Sequence, residues 1–257
     1  MREFFGIGGY QRTPEGAFSW QHLLFVTALM VIMVALAVWL GKRNKNSSEK
    51  QKNLVLIWAA ILIDGFELWK IILSCVEDMD AWRRMLPLFL CSIQLIAIPL
   101  AAFSKGRIKE AALDFVSVFG LLGAVLGTFG ATQNYNAYPV MSFTNVVSGI
   151  THTISGFAAL YIMLSGMASM KRKNMWITFA ILFTFCVAAY TANILVDYNY
   201  MFLMRGDGTP YDILYNLVGG HKALYPLSVV ALFVVYIGIF YGVWHAVEKK
   251  KQQPAAV

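Results

Sequence analysis

A cysteine, an amide and a histidine within apolar stretches are the residues of this sequence best suited to chemistry. Cys91 and Gln94 lie three residues apart in an apolar segment that begins at Leu86, and His152 lies in another. A thiol beside an imidazole is the minimum for nucleophilic catalysis, because the thiolate attacks and a base must take its proton. We therefore predict Cys91 as the nucleophile, His152 as its base and Gln94 or an Asn as a donor to a developing oxyanion.

Other polar residues in or beside apolar stretches could support this site, namely His22, Asp64, Glu67, Lys70, Asn145, Asn193, Asp197 and Asn199. Ionisable groups are costly in a bilayer unless paired or hydrated, so we expect them to face one another. Glu67 or Asp197 could orient His152, although Glu67 and Lys70 could equally form a structural ion pair at i, i+3. The spacings match no zinc signature, so we predict neither a metal nor another cofactor.

Each of these residues taken alone also fits a packing role. A single Asn often joins membrane helices, a buried Cys often acts as a small hydrophobe, and a His is often a hydrogen-bonded packing residue. Their shared depth on five predicted helices favours a common cavity.

The elements that must position these groups are membrane helices. Of the 257 residues, 58% are hydrophobic and 14% are charged, far more apolar than a soluble domain. Stretches that can cross a hydrocarbon core of about 30 Å are Trp20–Leu40, Leu54–Val76, Leu86–Phe103, Ala112–Phe129, Asn145–Met170, Met175–Val196 and Tyr225–Trp244. We predict an all-α, polytopic membrane bundle of about seven helices over residues 20–246, with segment 1–19 extracellular and 247–257 a basic cytoplasmic tail.

The orientation follows from the positions of the basic residues. The loops after the first, third and fifth predicted spans, together with the tail, carry most of the 21 Lys and Arg residues. The positive-inside rule places these loops in the cytoplasm, so the N-terminus is predicted outside and the candidate site in the outer half of the membrane. The net charge of +7 thus reflects topology, and the expected partners are lipids of the cell membrane and not nucleic acid.

Glycines form a stripe along the fourth predicted span, at Gly120, Gly123, Gly127 and Gly130. The stripe includes a G-x-x-x-G spacing, which allows two helices to approach closely. We interpret it as a helix-packing surface.

A resemblance to a known family rests on short motifs, which are Leu86-Pro87-Leu88-Phe89-Leu90-Cys91-Ser92, His152, the segment Asn193–Leu203 and Phe18-Ser19-Trp20-Gln21-His22-Leu23. They resemble the YwaF-type bacterial integral membrane proteins. That family is distantly similar to eukaryotic transmembrane protein 164, described as a phospholipid acyltransferase with a Cys/His pair. It is more remotely similar to the androgen-induced-gene lipid hydrolases, whose Thr nucleophile has no equivalent here. The resemblance implies acyl transfer with Cys91 and His152 as the catalytic pair.

Three functions remain open from the sequence. The first is a thiol-dependent phospholipid acyltransferase or lipid hydrolase that acts from the outer leaflet. The second is a small-solute or ion transporter or receptor, whose outward-facing vestibule would depend on Glu67 and Asp197 but not on Cys91. The third is a scaffold protein whose polar core only sets the register of its helices.

Overall fold

The computed structural model describes residues 2–252, with side chains described for residues 3–250. Over this range the regular structure is helical and contains no strand. The chain divides between Ala168 and Ser169 into two compact units, referred to as unit 1 and unit 2 in chain order. The all-α fold class is confirmed.

Unit 1 is built on two long helices that pack closely against each other. Its helices are α1 (Arg2–Phe5), α2 (Trp20–Asn44), α3 (Glu49–Glu77), α4 (Trp82–Met85), α5 (Gln94–Phe103), α6 (Gly106–Phe129), α7 (Thr132–Ala137) and α8 (Phe143–Leu164). The α6–α8 interface is the most extensive; α2 and α3 pack on α8, and α5 lies against α3 and α6. Three long helices begin with a serine cap, at Ser19, Ser48 and Ser142, because a serine hydroxyl satisfies an otherwise unpaired N–H group of the first turn.

Unit 2 consists of α9 (Arg172–Val196), α10 (Tyr211–Leu217) and α11 (Leu224–Gln252). α11 packs against both α9 and α10. A short turn of 3₁₀ helix at Tyr200–Phe202 follows α9.

Five helical segments among the described residues are long and apolar enough to cross a membrane, namely Trp20–Asn44, Gly106–Ala137, Phe143–Leu164, Arg172–Val196 and Leu224–Lys250. They confirm a multi-pass membrane protein. The second predicted span falls within α3, which has 29 residues but carries Asp64, Glu67 and Lys70.

The third predicted span differs from the structure. A helix from Leu86 was expected, with Cys91 and Gln94 on one of its faces, but α5 begins only at Gln94 and has ten residues. Leu86 is extended, with φ −60° and ψ 139°, because the ring of the following Pro87 disfavours the helical conformation. Cys91 therefore lies in a turn before α5, and α5 is about 15 Å long, half of a hydrocarbon core.

Candidate functional site

Cys91 lies against a glycine of α6. A Cβ atom at Gly123 would lie 3.6 Å from the Cβ of Cys91, so the two backbones are in van der Waals range. The thiol is half-buried and free. Cys91 lies in the turn before α5, three residues ahead of the first helical residue, Gln94.

His152, a residue of α8, contacts the same face of α6 one helical turn further along. A Cβ atom at Gly127 would lie 2.5 Å from each ring nitrogen of His152, so only glycine leaves room for this imidazole. Residues four apart on a helix are about 6 Å apart, which places the thiol and the imidazole about one helical turn from each other. No residue that the structure describes makes a hydrogen bond to the His152 ring, and Cys91 is not in hydrogen-bond contact with it.

The glycine stripe therefore serves two purposes. Gly120 allows the close helix packing that the sequence predicted, since a Cβ there would lie 2.7 Å from the Ser155 carbonyl oxygen of α8. Gly123 and Gly127 instead form the floor beneath Cys91 and His152. The i, i+4 glycine spacing was visible in the sequence, but it does not distinguish a floor for side chains from a helix-packing surface.

Gln94 is completely buried, and its side-chain oxygen and nitrogen have no hydrogen-bond partner among the described residues. Burying an unpaired amide costs free energy. Gln94 lies three residues after Cys91, at the start of α5. An amide in this position has a free donor and a free acceptor for a ligand.

A mostly buried ion pair on α3 adds charge to this region. Lys70 Nζ lies 2.7 Å from Glu67 Oε1, and the two side chains are only 14% and 15% exposed. Lys70 is close enough to interact electrostatically with both Cys91 and His152, and Glu67 with Cys91. Asp64, one turn earlier, has a buried carboxylate oxygen without a partner among the described residues. Both readings of the pair remain compatible: it is an i, i+3 ion pair, and it lies beside the candidate catalytic residues.

His22 and Asn145 belong to unit 1 but are occupied by backbone groups. His22 is fully buried; its Nδ1 accepts from the Phe18 N–H at 2.9 Å, and its Nε2 lies 3.1 Å from the Thr128 carbonyl oxygen. The Asn145 amide nitrogen donates to the carbonyl oxygens of Tyr138 and Pro139. These bonds join α2 to α6 and shape the turn before α8.

The three candidates after residue 190 lie in unit 2, around the turn that follows α9. Asn193 holds Tyr200 at two points, since its Oδ1 accepts from the Tyr200 N–H at 2.6 Å and its Nδ2 donates to the Tyr200 carbonyl at 3.1 Å. Asn199 donates to the Arg205 carbonyl and to Asp207. Asp197 is exposed and ends α9 in a left-handed conformation, with φ 52°. These side chains shape the loop of the Asn193–Leu203 motif.

The N-terminal segment packs against α3 and the start of α8. Phe5 contacts Trp69, the neighbour of Lys70, with ring centroids 6.3 Å apart, and Trp69 packs against Phe143. Glu15 accepts from the Val140 N–H at 2.8 Å and pairs with Arg12 at 2.5 Å. Burial alone would raise the pKa of Glu15, but the backbone hydrogen bonds and Arg12 outweigh burial and lower it.

Within residues 3–250, no group of three or more His, Cys, Asp or Glu side chains is arranged to hold a metal ion. The arrangement in unit 1 instead combines a thiol, an imidazole without a partner and a buried amide without a partner.

Comparison with known proteins gives one match. The model of the TMEM164 family matches residues 17–246, nearly the whole chain. No curated protein and no solved structure matches the chain.

Proposed function

The chain belongs to the TMEM164 family, and from that premise we propose that it is a membrane thiol acyltransferase or lipid hydrolase acting on phospholipid acyl chains. Cys91 is the nucleophile and His152 the general base. Acyl transfer also agrees with what the resemblance to transmembrane protein 164 implies for this pair.

The observation that carries this proposal is the shared glycine floor. Gly123 and Gly127, one helical turn apart on one face of α6, lie against Cys91 and His152 respectively, and these two side chains are not hydrogen-bonded to each other. The buried His22 has both ring nitrogens occupied by backbone groups, as is usual for a histidine in a packing role. Two reactive groups held over the same floor are instead suited to a substrate carbonyl placed between them.

The reaction has two halves. The Cys91 thiolate attacks the acyl carbonyl of a phospholipid ester, and a C–S bond forms as the ester C–O bond breaks. His152, which took the thiol proton, passes it to the departing lysophospholipid oxygen. In the second half a lysolipid hydroxyl or water attacks the thioester, gives its proton to His152 and releases Cys91.

Gln94 supports this chemistry as the donor to the oxyanion. Its unpaired amide lies three residues after Cys91, and a preorganised donor is most effective where water is excluded. Glu67 and Lys70 act on Cys91 in opposite directions, since the negative charge of Glu67 opposes a thiolate and the positive charge of Lys70 favours one.

A lipid substrate is supported by the surroundings of the pair. Both residues lie within a unit whose helices include membrane-crossing segments, so an acyl chain reaches them from the bilayer. We propose that the site faces the outer leaflet of the cell membrane, with the N-terminus outside and the tail inside, as the positions of the basic loops predict.

The test is phospholipid turnover by the purified full-length protein in liposomes that contain an acyl-labelled phospholipid and a lysolipid acceptor. Cys91→Ala is expected to abolish turnover and His152→Ala to reduce it about 10²–10⁴-fold, the usual contribution of a general base. Cys75→Ala removes another half-buried thiol and should leave turnover within about twofold of wild type. Full turnover in Cys91→Ala would contradict the proposal.

A further inference from the structure

Unit 2 contains a second chemically distinct feature, a cavity of about 510 Å³ at one end of α9 and α11. Its polar wall is formed by Arg172, His245 and Lys249, and its apolar part includes Gly238 and Gly242. Every residue that lines it belongs to unit 2, so it is separate from the Cys91 site.

The polar wall is suited to an anion. Arg172 and Lys249 are basic residues, and no acidic side chain lines the cavity among the described residues. Arg172 is also the first residue of the 25-residue helix α9, whose N-terminus carries a partial positive charge. His245 Nε2 is buried and has no hydrogen-bond partner in the part of the chain that the structure describes.

The apolar part is a groove along α11. Gly238 and Gly242 have a G-x-x-x-G spacing, yet a Cβ atom at either would meet nothing within 4 Å. Within unit 2 these glycines therefore border open space and are not pressed against a neighbouring helix, as the glycines of α6 are. The groove runs from the basic wall along a helix that is long and apolar enough to cross a membrane.

We propose that this cavity binds an anionic phospholipid, with the phosphate on Arg172, His245 and Lys249 and an acyl chain in the Gly238–Gly242 groove. Its volume is within the range of small-molecule sites. Basic pockets at membrane helix ends commonly hold anionic headgroups. The tail beside Lys249 is predicted to be cytoplasmic, so the bound lipid comes from the inner leaflet.

The experiment uses the detergent-solubilised full-length chain and native mass spectrometry with short-chain phosphatidylglycerol, short-chain phosphatidylcholine and glycerol 3-phosphate as probes. Arg172→Gln/Lys249→Gln removes the basic wall. Lys173→Gln/Lys250→Gln removes the same charge from neighbouring residues that do not line the cavity. Gly242→Leu fills the groove without changing charge, and Val243→Leu is its control on the exposed side of the same helix.

Phosphatidylglycerol is expected to bind in preference to phosphatidylcholine. The Arg172/Lys249 variant should lose about 30-fold in affinity, the effect of two basic contacts, and Gly242→Leu should also weaken binding. The two control variants, Lys173→Gln/Lys250→Gln and Val243→Leu, should bind phosphatidylglycerol with an affinity within about twofold of wild type. An equal loss of affinity in the Lys173/Lys250 control would mean that general electrostatic attraction accounts for binding, and it would overturn the proposal. Unchanged binding in Gly242→Leu, or glycerol 3-phosphate binding as tightly as the lipid, would overturn the lipid assignment in favour of a free phosphate site.

Discussion

Gln94 and His152 keep hydrogen-bonding capacity that the described residues do not use. Gln94 is fully buried with both amide atoms unpaired among the described residues, whereas His152 is half-buried. Most buried polar groups in proteins are paired, so exceptions call for an explanation. At the residue scale, the explanation we propose is a ligand that pairs with them in the working protein.

This explanation predicts opposite effects on stability and activity at Gln94. Gln94→Met keeps the side-chain length and removes the unpaired amide, so it should raise the free energy of unfolding by about 1–3 kcal/mol. The loss of an oxyanion donor should lower turnover about 10²–10³-fold. Denaturant unfolding in detergent and the liposome assay measure the two effects. A variant that is both less stable and fully active would mean that the amide serves the fold.

A matched pair of substitutions tests the glycine floor formed by Gly123 and Gly127. Gly127→Ala places a methyl group against the His152 ring, and such overpacking should cost about 1–3 kcal/mol as well as displacing the base. Gly123→Ala makes only an ordinary contact at 3.6 Å with Cys91 and should gain up to about 1 kcal/mol of helix propensity. Thermal unfolding of both variants is the measurement. Equal effects would show that α6 does not hold the two side chains as described.

At the scale of elements, α3 is the helix whose polar content most needs explanation. It has the length to cross a membrane but carries Glu67 and Lys70, whose pairing compensates the cost of their burial. Removing one partner of a buried ion pair leaves the other charge buried and unpaired, which destabilises the fold. We propose that this pairing is what allows α3 to lie in a membrane.

A double-mutant cycle on α3 tests this role. Lys70→Met should cost about 3–5 kcal/mol because Glu67 is left unpaired beside Asp64, whereas Glu67→Gln/Lys70→Met should cost clearly less. Unfolding in detergent of the single and double variants gives the coupling free energy. Additive losses would contradict a compensating pair.

Comparing the helices with the sequence-based predictions shows which features could be predicted from the sequence. Hydropathy predicted the long apolar helices, because a span of about twenty apolar residues has few other interpretations. It failed at Leu86, where the local restriction imposed by Pro87 outweighs apolar content. Residue type singled out Cys91, His152 and Gln94 as candidates, and their role stays a prediction. The glycine floor could not be predicted, since the sequence does not show which helices pack against each other. The packing also shows His22, Asn145, Asn193 and Asn199 bonded to backbone groups, an outcome that spacing does not reveal.

At the scale of the molecule, the chain combines two units with different chemistry. Unit 1 carries the thiol and imidazole over a glycine floor, and unit 2 carries a basic cavity beside an open groove. The basic loops and the basic tail predict an N-terminus outside the membrane and a C-terminus inside it.

Reporter fusions test that orientation. In a bacterial host, alkaline phosphatase should be active when fused at the N-terminus and inactive at the C-terminus, and a fluorescent protein should give the reverse pattern. The reason is the concentration of Lys and Arg in the tail and in alternate loops. The same pattern at both termini would indicate an even number of crossings and contradict the predicted topology.

The most direct test of the central claim is intact-mass analysis of the full-length protein after incubation in bilayers with an acyl-labelled phospholipid and no acceptor. A thioester intermediate predicts one acyl adduct on Cys91 that hydroxylamine removes. The adduct should be absent in Cys91→Ala, form more slowly in His152→Ala and persist in Cys75→Ala. Lipid turnover without an adduct, or an adduct on Cys75 or Cys186 in its place, would contradict a Cys91 nucleophile.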